Sequence, residues 1–132
     1  MEKSETYERA PHAPPCRVLL VEDDALISMS TLDVLEGLGH QVLEAPSPRK
    51  ALEILHAGTP IDVVLTDQSM PGMTGTQLAA EIRAKWPELP IIVATGYVEL
   101  PKDKAPRLLH LMKPYVGEDL DAAISSAVAG RV

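Results

Sequence analysis

Short runs of consecutive apolar residues alternate with longer stretches of mixed polarity along this chain. Arg17-Val18-Leu19-Leu20-Val21, Ile61 to Thr66, Ile91-Ile92-Val93-Ala94-Thr95 and Leu108-Leu109-His110-Leu111-Met112 are too short for helices. All four predict strands, and the unbroken apolar character of the first two predicts cover on both faces. Gln41-Val42-Leu43-Glu44-Ala45 alternates in polarity and predicts an edge strand. Helices are predicted between the strands. The first starts near Ala25, with Met29, Leu32, Leu35 and Leu38 on or near one face, and stops at Gly39, which can adopt the left-handed cap conformation. Ser47 caps a second, with Pro48 at its first position, running to about Ala57. Thr74 and Gln77 form a capping box for a third that extends through Lys85. A last helix, from about Asp119 to Ala129, buries Leu120, Ala123, Ile124 and Val128. Between Tyr97 and Arg107, Pro101 and Pro106 restrict any fourth helix to something short or irregular, because an interior proline removes a backbone bond and clashes with the preceding turn.

Strands alternating with helices in this way predict an α/β fold: a doubly wound five-stranded parallel sheet, helices on both faces, right-handed crossovers. Met1 to Pro15 are polar and then proline-rich, with no apolar period to bury. They predict a flexible N-terminal extension over residues 1–15, with the folded domain at 16–132.

The chain has 132 residues, enough for one domain with a substantial core. Its 12 Lys and Arg against 19 Asp and Glu give a formal net charge of -7. No surplus of positive charge exists to neutralise phosphates, so direct nucleic-acid binding is not expected. The single cysteine, Cys16, excludes an internal disulfide, fits a reducing compartment and reads as a small apolar residue at a strand start. No signal peptide and no run of the ~20 apolar residues needed to cross a bilayer is present, so a soluble, cytoplasmic protein without membrane contact is expected.

The candidate chemistry lies at the strand ends. Glu22 and Asp23 follow strand one, Asp67 follows strand three, Thr95 closes strand four and Lys113 follows strand five. Parallel strands bring these ends to one edge, where open α/β sheets bind their ligands. In the order 2-1-3-4-5 strand three is central, ~4.8 Å from its neighbours, and a lysine two strands away spans ~10 Å with its long stem. Asp67 taken alone could equally cap the Pro71-Gly72 turn that follows it. Three converging carboxylates repel one another, and one lysine does not balance them. A hard divalent cation completes the balance, and few oxygen ligands open to water suit Mg²⁺ better than Ca²⁺. Zinc is not expected, because no Cys/His pair has ligand spacing and His12, His40, His56 and His110 are scattered, each read as structural or exposed. A carboxylate beside Mg²⁺, a lysine and a hydroxyl can accept a phosphoryl group as an aspartyl-phosphate, and Gly96 leaves room for it.

These residues sit in motifs: Leu20-Val21-Glu22-Asp23-Asp24, Leu65-Thr66-Asp67 with Met70-Pro71-Gly72, Ala94-Thr95-Gly96 and Lys113-Pro114. Together, in order, the four resemble the receiver domain of a two-component response regulator over Arg17 to about Ala129. The resemblance implies the flavodoxin-like, CheY-like order 2-1-3-4-5. It implies that Asp67 accepts a phosphoryl group from a histidine kinase or a phosphotransfer protein, in a Mg²⁺-dependent reaction. Asp23 then ligates the metal directly, Glu22 acts through a metal-bound water, and the Ser69 backbone carbonyl supplies another ligand. Thr95 and Lys113 contact the phosphoryl oxygens, and the Lys113-Pro114 bond is cis. Asp24 stays open between a helix N-cap and a metal ligand.

Such a domain is a switch or phosphorelay station that phosphorylates and slowly dephosphorylates itself, not a metabolic enzyme. Its downstream protein partner is not named by the sequence, and a weak homodimer is a further expectation. Receivers usually carry an aromatic residue three positions before the lysine; here His110 stands there, and Tyr97 is a candidate substitute. Ala94-Thr95-Gly96-Tyr97 and the proline-broken connection resemble receivers appended to hybrid sensor kinases. Two other classes remain: a phosphohydrolase resembling haloacid dehalogenases, which needs a second Asp where Ser69 stands, and a phosphorylation-independent receiver-fold scaffold. No glycine-rich P-loop is present.

Overall fold

A computed structural model describes residues 13–96 and 108–129. Tyr97, Pro101 and Pro106, and with them the fourth-helix expectation, lie outside the described residues, as does His12. The elements in order are β1 (Arg17–Val21), α1 (Ala25–Gly37), β2 (Gln41–Ala45), α2 (Pro48–His56), β3 (Val63–Asp67), α3 (Gly75–Lys85), β4 (Ile91–Thr95), β5 (Leu108–Met112) and α4 (Gly117–Ala129). The five strands form one sheet in the order β2-β1-β3-β4-β5. Every neighbouring pair is parallel, with Val21 beside Thr66, Asp67 beside Ala94 and Thr95 beside Met112.

Burial follows position in the sheet. All residues of central β3 and of β4 are buried, whereas edge strand β2 is mostly half-exposed, as its alternating polarity predicts. One face packs Leu19, Val64, Ile91 and Val93 against Leu55 of α2 and Leu78 and Ile82 of α3. The other packs Val18, Leu20, Leu65 and Ile92 against Leu35 of α1 and Leu120 and Ile124 of α4.

The helix ends are fixed by local chemistry. Asp24 caps α1, accepting from the amides of Leu26 at 2.9 Å and Ile27 at 3.1 Å. That settles the open reading of Asp24 in favour of the cap. The C-terminus of α1 closes with Gly39 at φ +98°, its amide on the Glu36 carbonyl and the His40 amide on the Leu35 carbonyl. Those two bonds satisfy carbonyls the helix itself leaves unpaired. Ser47 caps α2, and Thr74 and Gln77 make the reciprocal capping box of α3.

Three boundaries or faces differ from the sequence reading. β3 begins at Val63 rather than Ile61, because the Asp62 carboxylate and amide are both engaged by the Arg17 backbone just before the ladder starts. α4 begins at Gly117 rather than Asp119; Asp119 sits in its first turn and accepts from the Val116 amide at 2.9 Å. Met29 is 60% exposed, because the buried stripe of α1 runs through Ser28, Thr31 and Leu35. A residue one position past Ser28 is turned ~100° from that stripe.

At the chain entry, Ala13 is buried and donates its amide to Asp121 of α4 at 3.0 Å, although it lies on the extension side of the expected boundary. No helix among the described residues is long and apolar enough to cross a membrane.

Candidate functional site

Because every strand is parallel, the residues that close β1, β3, β4 and β5 share one edge. Asp67 is the last residue of β3, and Glu22 and Asp23 follow β1, its neighbour on one side. One carboxylate oxygen from each of Glu22, Asp23 and Asp67 lies within 4.8 Å of the other two. Glu22 and Asp67 are each only 8% exposed, while Asp23 faces solvent.

Lys113, just past β5, donates its ammonium to Asp67 Oδ1. The Ser69 amide donates to Asp67 Oδ2 at 3.1 Å, so both oxygens of this carboxylate are held. Charge-assisted bonds of this kind are the stronger class. The Lys113 amide bonds the Thr95 carbonyl at 2.8 Å, which ties the start of the β5–α4 loop to the end of β4. The Lys113-Pro114 bond is cis, the isomer the receiver resemblance implies. Thr95 is buried at the same edge.

The electrostatics show unbalanced negative charge. Burial raises the Glu22 carboxyl above its usual range, and the charges of Asp67 and Asp23 raise it further; the Asp24 amide, at 3.1 Å from Oε2, and Lys113 oppose this without cancelling it. For Lys113, burial alone disfavours the ammonium. The Asp67 hydrogen bond and charge, aided by Glu22 and Tyr115, outweigh that and raise the group above its ordinary value. One ammonium faces three carboxylates.

That arrangement fits a hard divalent cation: the donors are all carboxylate oxygens, close enough to share one ion, with Asp23 open to water. Of the described histidines, none belongs to this acidic group. His40 accepts from Cys16 and His56 stacks edge-on against Trp86, with ring centroids 5.0 Å apart.

Two neighbours escaped the sequence reading. Gly75, first residue of α3, lies so close to β3 that an added Cβ would stand nearer than 3.0 Å to the Asp67 carbonyl oxygen. Gln68 holds the same junction: its carbonyl accepts from the Gly75 amide at 3.0 Å, and its side chain accepts from the Thr76 amide at 2.8 Å and hydroxyl at 2.9 Å. A glycine at a helix's first position, directly after a capping threonine, was the available signal.

Fold and edge together define a parallel α/β domain with an acidic pocket and a lysine at its strand ends. The profile of the family described as "Response regulator receiver domain" matches residues 18–124, and the chain belongs to that family. It is a receiver domain, the switch of two-component signalling. The chain is 37% identical over 123 residues to the transcriptional regulatory protein PdtaR of Mycobacterium tuberculosis, covering 89% of this chain and 58% of that one. It spans between 9% and 58% of the length of curated relatives that it matches. The receiver domain of the hybrid histidine kinase CckA superposes with a TM-score of 0.72 at 26% identity, covering 85% of this chain and 98% of that one. The response regulator TrrA of Thermotoga maritima, solved in complex with Mg²⁺-BeF, gives 0.76 at 27% identity, covering 85% and 98%. Receivers are signalling modules and not a classical enzyme family, and the family binds Mg²⁺ in the acidic pocket.

Proposed function

We propose that Asp67 is the phosphoryl acceptor of this chain. The observation that supports the reading most directly is the convergence of Asp67 with Glu22, Asp23 and Lys113 at one strand edge. A carboxylate oxygen of Asp67 attacks the phosphorus of a phosphohistidine. The O–P bond forms, the P–N bond breaks, and the leaving imidazole keeps the bonding electron pair and takes a proton from solvent. The product is an acyl phosphate. Lys113 moves from the carboxylate to a phosphoryl oxygen, and the Thr95 hydroxyl donates to another. Asp23, Asp67, the Ser69 carbonyl and, through water, Glu22 would hold Mg²⁺, which when bound neutralises charge on the phosphoryl oxygens. Hydrolysis of the acyl phosphate by water resets the domain.

The donor is a histidine kinase or phosphotransfer protein, in the cytoplasm, and it has to cover the strand edge to reach Asp67. Beside that edge, Leu26, Ile27, Pro114 and Tyr115 line an open groove that ends at Lys113, with Leu26 77% exposed. An exposed apolar surface bordering a polar site can seat a helical partner. The scaffold reading is not favoured, since it requires none of these carboxylates nor the lysine.

Intact mass after incubation with Mg²⁺ and acetyl phosphate tests the proposal. Wild type should gain one phosphoryl group, lost when EDTA is present, and Asp67→Asn should gain none. Wild type that gains nothing from acetyl phosphate or from a panel of histidine kinases sinks the acceptor reading.

A further inference from the structure

At the opposite end of β1, the residues that lead into the strand are fastened by two buried side chains. The Cys16 amide donates to His40 Nδ1 at 3.1 Å, and the Ala13 amide donates to Asp121 Oδ1 at 3.0 Å. Both acceptors are interior: His40 is 4% exposed and Asp121 8%. Ala13 and Cys16 pack in the same cluster as Leu35 of α1 and Leu120, Ile124 and Ala127 of α4. Because Nδ1 accepts, the hydrogen-bond pattern assigns the ring proton to Nε2, and that nitrogen is buried without a partner.

We propose that residues 13–16 form an acid-released strap, in which the neutral His40 ring holds the Cys16 amide while Asp121 of α4 holds that of Ala13. Protonating His40 at Nδ1 puts an N–H against the Cys16 N–H, and the bond between them is lost. The ring then carries a charge inside an apolar cluster. Burial already sets the His40 ring below its ordinary value, and the charge of Asp121 on α4 opposes that without cancelling it. Among the described residues Asp121 acts on the ring through its charge, and Cys16, whose amide donates to the ring, carries a thiol that donates to the Pro14 carbonyl at 2.9 Å. Nothing in this strap depends on the phosphoryl chemistry at the other edge of the sheet. Its release frees the Cys16 amide and leaves, of these two bonds, only that of the Ala13 amide on Asp121 to hold residues 13–16 to α4.

The test is amide hydrogen exchange by NMR on the full chain, at about pH 7.5 and about pH 5.5, each rate divided by its intrinsic value. In wild type the protection of the Cys16 amide should fall at least about tenfold at the lower pH, while Val64 in central β3 keeps its protection. In His40→Asn the side-chain oxygen takes the place of Nδ1 but does not titrate, so Cys16 protection should be the same at both values. Unchanged wild-type protection overturns the proposal, as does an equal loss in His40→Asn. If the variant does not fold, the wild-type ring resonances of His40 and the amide shift of Cys16 should titrate with one midpoint. Separate midpoints overturn it.

Discussion

Replacing Gly75 with alanine tests how tightly α3 is seated on β3. The added methyl would lie closer than 3.0 Å to the Asp67 carbonyl oxygen and 3.1 Å from both the Asp67 carbonyl carbon and Gln68 Cα. All three neighbours are backbone, so no side chain can rotate away. Relief requires the helix start to move off the strand by several tenths of an ångström or more. Overpacking of this kind costs about 1–3 kcal/mol. Losing the Gly75 amide bond to the Gln68 carbonyl, 3.0 Å long, adds about 1 kcal/mol. Alanine's better helix propensity returns at most about 1 kcal/mol. The net destabilisation is about 2 kcal/mol, or roughly 8 °C in Tm for a domain of this size.

Because the displaced group is the backbone of Asp67, the proposed acceptor, phosphorylation by acetyl phosphate should slow by an order of magnitude or more. Calorimetry and a mass-based time course read the two effects. Gly37→Ala is the control: it lies in α1, and an added Cβ there meets nothing within 4 Å. It should be neutral or stabilising by up to about 1 kcal/mol. A Gly75→Ala protein with wild-type Tm and wild-type phosphorylation would refute the seating argument.

Further perturbations separate the roles. Lys113→Ala should slow phosphorylation by about 100-fold while Mg²⁺ binding, read by calorimetric titration, persists, since the carboxylates remain. Ser47→Ala removes the cap that accepts from the Lys50 amide at 3.1 Å and should cost about 1 kcal/mol in urea unfolding. Leu26→Asp should weaken transfer from a protein donor at least about tenfold and leave acetyl phosphate transfer unchanged, because Leu26 is 77% exposed beside the site. The lowered folded-state value of His40 means that the unfolded chain binds its proton first. Stability is therefore complete above about pH 6.5 and falls as the pH drops from there toward the folded value. Urea unfolding across that range should show this slope in wild type and a flatter one in His40→Asn.

The helix caps at Ser47 and Thr74 and the edge position of β2 were legible in the sequence because each depends on chemistry within a few residues, whereas the strand order came with the resemblance that the four strand-end motifs carry. Burial on both faces leaves a continuous apolar run, and parallel pairing then dictates a shared edge for Glu22, Asp23, Asp67, Thr95 and Lys113. What was not legible depends on contacts between elements distant in the chain. Met29 looked interior because its apolarity says nothing about where the α1 stripe points; Thr31 and Ser28, both polar, take the inner positions instead. Gly75 stands out only through its distance to the Asp67 and Gln68 backbone, and Ala13 is held by Asp121, 108 residues later, and by the α1 and α4 side chains it packs with. The inner role of His40 was equally hidden, since its partner Cys16 lies 24 residues upstream.

The strand order also sets a sequence of assembly. β1, β2 and β3 are neighbours and are complete once the chain has reached Asp67. A chain synthesised to that point already contains Glu22, Asp23 and Asp67 but not Lys113. Lys113 arrives only with β5, the outermost strand on the far side and the last to be made. The three carboxylates are thus translated before the lysine that supplies their counter-charge.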